Sequence, residues 1–237
     1  GEVNRETQGD FAVLSQPLNL PCGVQLKNRL IKAAMSDSLG DGEGNATNTQ
    51  MWLYERWADG GAALSLIGEA QTSQFFPEKP GNRVLTPDAN LVALKALAAR
   101  GSSNGAHIWP QLGHAGALSH APISQAKGPS PLNLEGLQCE GMTLAYIGRL
   151  PEAYAQAAVL AKEAGFGGVQ IHAGHGFLFS QFLSPLFNHR TDGYGRTVSA
   201  RFRVIEEVID AVCSAVGTGY PIGVKINFTN KLVGGLS

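Results

Sequence analysis

Short apolar runs alternate along the chain with longer segments whose apolar residues recur every three or four positions. The runs Leu30–Met35, Ala63–Gly68, Ala106–Leu112, Gly168–His172 and Ile222–Ile226 are apolar nearly throughout and are bounded by Gly, Pro or Asn. That is the pattern of strands covered on both faces. Helices are expected between them. Thr49–Asp59 ends at Gly60-Gly61, and Asp88–Arg100 sets Leu91, Leu94, Leu97 and Ala98 on one face. Glu152–Ala164 stacks Ala153, Ala157, Leu160, Ala161 and Ala164, with Gly165 placed as its C-terminal cap. Ser199–Val216 carries Phe202, Ile205, Val208, Ile209 and Val212 as one stripe before Gly217. Strand and helix alternate, so the pattern predicts an α/β fold built on a parallel sheet. Two stretches, Gly113–Arg149 and Gly174–Arg196, show no period and are expected to be long loops. Both follow strand C-termini, where such folds assemble their sites.

Composition narrows the function classes. Of 237 residues, 43% are hydrophobic and 16% charged, with a net charge of −1, which suits a globular chain. The balance leaves no basic footprint for nucleic acid or an anionic membrane. No apolar run reaches the roughly 18 residues a membrane span needs, and the first ten residues are polar, without a signal-peptide core. Cys22, Cys139 and Cys213 lie far apart with no metal-ligand spacing, and read as reduced thiols of a cytoplasmic protein.

The chemistry concentrates in Gln170–Arg196, QIHAGHGFLFSQFLSPLFNHRTDGYGR. His172 closes the fourth strand and His175 follows across Ala173-Gly174. Two convergent imidazoles suit a carbonyl, nitro or phenolate oxygen. The plainer alternative has one histidine capping the strand and the other in solvent. A zinc site would need further ligands, and no cysteine or paired carboxylate is near, so no metal is expected. Gln111, ending the third strand, could read the polar edge of a flavin or nucleobase, or tie down its own loop. Lys225 is a cation within an apolar strand. Burying it unpaired is expensive, so either an anionic partner, such as Glu69 or a ligand anion, or an open strand end is expected. Met35 and Ser36 would line the same rim after the first strand, and Glu69-Ala70 after the second. GxGxxG after a first strand, GxxxxGK[ST] and GxSxG are all missing, against a Rossmann site, a P-loop and an α/β hydrolase.

Five segments together carry a resemblance: LKNRLIKAAMSD, YERWADGGAALSLIGEA, PQLGHAG, AYAQAAVLAKEAGFGGVQIHAGHGF and QFLSPLFNHRTDGYG. They resemble the old yellow enzyme family, most nearly its NADH:flavin oxidoreductase/NADH oxidase members and the flavin domain of 2,4-dienoyl-CoA reductase. The likeness runs in order over residues 26–227, within one barrel domain. It implies a TIM-type (β/α)8 barrel holding FMN at its C-terminal mouth. NADH or NADPH would reduce the flavin, and an activated alkene or related small electrophile would receive the hydride. Carried over residue by residue, Ala34, Met35 and Ser36 contact the flavin ring, Ala70 lies near its edge, and Gln111 bonds its pyrimidine side. Lys225 sits beside N1 and O2 and stabilises the charge of the reduced ring, and His172 and His175 hold the substrate oxygen.

Two departures qualify that implication. Phe177 stands where many relatives have a proton-donating tyrosine, so solvent or Tyr194 becomes the candidate donor, or the acceptor is a quinone, nitro compound or dioxygen. The lysine-bearing strand is the fifth, and βα units six to eight, with the phosphate site expected after strands seven and eight, do not follow. The expectation is therefore an incomplete barrel of about five βα units whose open edges promote homo-oligomerisation. The alternative to an active oxidoreductase is a non-catalytic remnant serving as a binding or interaction module.

Overall fold

The computed structural model describes residues 11–73, 76, 83–120, 125–227, 229 and 234, with Glu69 and Arg83 described through their backbone alone. Its centre is a parallel sheet of β1 (Ile31–Lys32), β2 (Leu64–Gln71), β3 (His107–Gly113), β4 (Val169–Ala173) and β5 (Ile222–Ile226). The strands lie in sequence order, and Arg83–Val84 adds a short parallel pairing at the end of β2. Ile31 pairs with Leu64, Leu64 with His107, Gln111 with Gln170 and His172 with Lys225. All C-terminal ends therefore open on one side. The helices are α1 (Asn48–Asp59), α2 (Leu91–Gly101), α3 (Leu144–Ala164), α4 (Leu178–Leu183) and α5 (Val198–Val216).

Local sequence explains where the helices begin. Thr47 accepts from the Gln50 backbone while the Gln50 side chain returns to the Thr47 amide, a reciprocal cap. Asn90, Thr143 and Thr197 accept from the third residue beyond them at the starts of α2, α3 and α5. Each such cap contributes about 1 kcal/mol. Thr143 also moves the start of α3 to Leu144, ahead of the expected Glu152. Pro151 thus lies inside the helix, where the missing N–H costs about 3 kcal/mol. Burial of Ile147, Leu150 and Tyr154 offsets that cost at roughly 2 kcal/mol per side chain.

The two expected loops carry more structure than their composition suggested. Lys127–Gly128, Leu132–Leu134 and Leu137–Gly141 form a small separate sheet, of which the first two strands are too short to show a period of two, while the third alternates half-buried and exposed positions. All six residues of α4 are buried, so it has no polar face to alternate with.

Alternation along the strands sorts residues into two layers. Ile67, Ile108, Leu112, Val169 and Ile171 face outward into a core shared with Leu97 of α2, Tyr154 and Ala157 of α3, and Val204 and Val208 of α5. Leu64, Leu66 and Trp109 face inward, where Leu26 of an N-terminal hairpin covers them. The outermost strands leave Leu30, Ile31, Val224 and Ile226 exposed. Among the described residues, no helix is long and apolar enough to cross a membrane.

One buried group in the outer core is unpaired. Tyr154 is fully buried 5.0 Å from the Phe179 ring, and its hydroxyl has no partner among the described residues. A buried, unbonded hydroxyl is a desolvation penalty. Tyr154→Phe should therefore stabilise the fold by about 1 kcal/mol, read as a higher urea midpoint at unchanged m-value.

Candidate functional site

At the C-terminal ends of β2, β3 and β4 lies a cavity of about 230 Å³. Ala34, Met35, Ser36, Gly68, Gln71, Gln111, Gly113, His114, Ala115, His172, His175 and Phe177 line it. Six of the expected residues therefore meet here: Ala34, Met35, Ser36, Gln111, His172 and His175.

The imidazoles of His172 and His175 stand 5.1 Å apart at 75°, and Phe177 lies edge-on to His172 at 5.3 Å. His172 is the inward residue at the end of β4, between outward Ile171 and Ala173. His175 has φ +56°, a left-handed conformation that costs a side-chain-bearing residue about 1 kcal/mol. That turn folds the second ring back toward the first. Burial, then the nearby charges of His175 and Lys225, hold the His172 pKa down to about 4, so the ring is neutral at pH 7. Its Nδ1 accepts the Gly174 N–H at 3.3 Å, which leaves the proton on Nε2 as the donor available to a ligand.

Gln111 forms the floor. Its Nε2 donates to Gln170 Oε1 at 2.7 Å, and its carbonyl oxygen and second N–H have no partner among the described residues. One side of the cavity is backbone. A Cβ on Gly68 would lie 2.5 Å from the Met35 carbonyl oxygen, so only glycine admits the segment 34–36 at that distance. Asp37 anchors the far end of this segment by accepting from Gln50 and Tyr54 of α1 at 2.7 and 3.2 Å.

Three expected residues are not in this lining, and each has a physical reason. Ala70 is fully buried in the outer core because an irregularity between Ile67 and Ala70 shifts the β2 register. Lys225 stands in register with inward-facing His172, close enough to act on its pKa, and its side chain is exposed, which is the open strand end rather than a buried ion pair. The side chain of its suggested partner Glu69 lies outside the described residues. Tyr194 is not brought to the cavity. Its hydroxyl donates to Glu207 on α5 at 2.9 Å, the Arg203 guanidinium covers its ring at 5.1 Å, and burial together with Glu207 raises its pKa. Among the described lining residues, Ser36 carries the one hydroxyl.

Sequence reading passed over His114. It is 3% exposed and stacks on Phe76 at 4.4 Å. Its Nδ1 accepts from Gly116 N at 2.9 Å, so the neutral ring presents Nε2–H to the Tyr146 hydroxyl at 3.0 Å. Burial lowers its pKa to about 3 and pushes Tyr146 up to about 12. The glycines around it in GHAG were the available signal, since they let a loop close over a side chain. Arg190 was also missed. It donates to the carbonyls of Pro129 and Met142 at 2.8 and 2.7 Å and pairs with Asp192 at 2.6 Å, fastening the small sheet beside the mouth.

The mouth of this parallel half-barrel thus brings together two imidazoles, one of them held neutral by burial, and the half-used amide of Gln111. The model of the NADH:flavin oxidoreductase / NADH oxidase family matches residues 13–236, and the chain belongs to that family. It is 33% identical over 236 residues to the NADH-dependent flavin oxidoreductase iliE of Neonectria sp. (strain DH2), covering 90% of this chain and 31% of that protein. The NADPH dehydrogenase of Listeria welshimeri is 33% identical over 216 residues, covering 90% and 63%. Among solved structures, a 2-naphthoyl-CoA reductase complex matches with a TM-score of 0.90 at 27% identity, over 96% of this chain and 37% of that one. Morphinone reductase in complex with tetrahydroNAD matches with a TM-score of 0.83 at 28% identity, over 94% and 66%. The chain thus spans about a third of the length of the first of these relatives. The fold is an incomplete barrel of the old yellow enzyme type.

The depressed histidine pKa values set a pH dependence. Below the ordinary value of 6.5 the unfolded chain takes up protons that folded His172 and His114 refuse. Stability should therefore fall as pH drops from 7 toward 4, approaching about 1.4 kcal/mol per pH unit for each histidine. Urea denaturation at pH 7 and pH 5 measures it, and His114→Gln should remove its share of the slope.

Proposed function

We propose that the chain is the ring-binding part of an FMN-dependent oxidoreductase that takes reducing equivalents from NADH or NADPH and delivers them to an activated alkene or related small electrophile. The observation that carries this reading is the convergence of His172, His175 and the half-used Gln111 amide on one cavity. The residues fit the isoalloxazine of FMN. Gln111 offers one donor and one acceptor to a pyrimidine edge, and the glycine-backed segment Ala34–Ser36 offers a backbone wall with a hydroxyl at Ser36. When bound, FMN supplies two-electron hydride chemistry.

The chain's own groups do the rest. His172 and His175 donate to the substrate oxygen and withdraw electron density from the conjugated carbon. The neutral His172 N–H does so without demanding a counter-charge in the cavity. Phe177 packs edge-on against the flank of His172, but a phenyl ring has no proton to give. Protonation at carbon therefore falls to solvent. Lys225, 172's register partner on β5, adds a solvated positive charge at the open side. Three free thiols fit a cytoplasmic location, and the exposed strands at both sheet edges favour association of copies.

Titration of the purified chain with FMN should perturb the flavin absorbance, and NADH should then bleach it, with colour returning on addition of 2-cyclohexenone. His172→Ala and His175→Ala should each lower kcat/KM for the enone by roughly 10- to 100-fold while leaving FMN binding intact. A chain that leaves the flavin spectrum unchanged overturns the reading. Elution as a single sharp monomer in size-exclusion chromatography would overturn the association.

A further inference from the structure

The left-handed turn that carries His175 is held by a residue with no direct place in the cavity. Gln181, on α4, is fully buried, and its amide makes three hydrogen bonds to backbone. Nε2 donates to Gly176 O at 2.9 Å and to Ala115 O at 3.1 Å, while Oε1 accepts from Ala117 N at 3.0 Å. Both N–H donors are used, and the contacts reach two separate chain segments. Ala115 and Ala117 belong to the loop leaving β3, and Gly176 to the loop leaving β4.

Those segments need holding. His175 and Gly176 are consecutive residues with φ +56° and +77°, a reversal that a histidine does not favour on its own. Gly116, between the two bonded alanines, has φ +60°, and a Cβ there would overlap Gln181 Oε1. Its N–H is the one that fixes the His114 ring. The amide therefore sits where both mouth loops are strained and ties each to the same rigid group.

We propose that Gln181 is a positioning residue for the imidazole pair: it clamps the Gly176 carbonyl and so sets the turn that places the His175 ring against His172. This rests on the proposed oxygen-binding role of the pair for its consequence, but not for its geometry. An aliphatic side chain of the same length would fill the space without holding the carbonyls. A carboxylate would turn an acceptor toward two other acceptors, and the turn would be released.

The test uses the full chain with Gln181→Glu and Gln181→Met. The readout is the NMR resonance of the His175 ring Cε1–H, with His107, packed edge-on to Trp109 on β3, as the control. His175, exposed but stacked edge-on against His172, should lose the ring-current shift of that contact in both variants while His107 stays in place. In parallel, the dissociation constant of 4-nitrophenolate, followed by its own visible absorbance, should rise roughly tenfold in Q181E. In a His175→Ala background the same substitution should add no further weakening. An unmoved His175 resonance in folded variants overturns the proposal. So does equal weakening with and without the histidine, or collapse of all histidine resonances in both variants, since each makes Gln181 a general stabiliser. Failure of the wild-type chain to bind nitrophenolate while His175 still moves would remove the oxygen-binding reading and leave the positioning role standing.

Discussion

The hydrogen bond between Gln111 and Gln170 expresses the constraint on which the rest depends. Parallel strands direct every second side chain inward, and adjacent strands meet at one fixed register. With Gln111 opposite Gln170, His172 falls one inward step higher, at the level of the rim. A slip of one residue along β4 would send both Gln170 and His172 into the helix layer and bring Ile171 to the cavity. The apolar positions forbid that slip, because Val169, Ile171 and Ala173 are buried against the helices. The outer core thus sets the chemistry of the inner face.

Above the register, the site is assembled from buried polar groups kept neutral. His114, His172 and Tyr146 all have pKa values displaced by burial toward their uncharged forms. Each then serves as a directional donor or acceptor. His114 passes its N–H to Tyr146 and takes one from Gly116, and His172 takes one from Gly174. A charged ring at either position would need a counter-ion that the surrounding alanines and glycines do not offer. The same low polarity strengthens the buried hydrogen bonds of Gln181 to Ala115 and Ala117.

Much of this was legible in the chain before any coordinates. The five strands and four of the helices follow from apolar runs and 3.6-residue stripes, because burial on one or both faces leaves a periodic trace. The histidine pair and Gln111 were readable because they end apolar runs, where side chains of an α/β sheet meet. What escaped has a common cause: it depends on contacts between loops, which leave no period. Arg190 reaches the carbonyls of Pro129 and Met142, and Gln181 that of Ala115, all far away in sequence, and nothing near either residue encodes those acceptors. The early start of α3 was hidden by Pro151, which reads as a breaker until the burial of Ile147 and Leu150 is known. For Lys225 the strand sequence left two outcomes open, an ion pair or an open strand end, and the exposed ammonium on β5 is the second.

The close seat of Gly68 beneath the Met35 carbonyl separates shape from identity along one wall of the mouth. Because that wall is drawn by main-chain atoms, the side chains at positions 35 and 36 can be exchanged without redrawing it. Thioether, hydroxyl or thiol can then stand there while the slot keeps its width. A lineage carrying this glycine has a tunable surface on a fixed frame, and mutational tolerance should concentrate at 35 and 36 and vanish at 68.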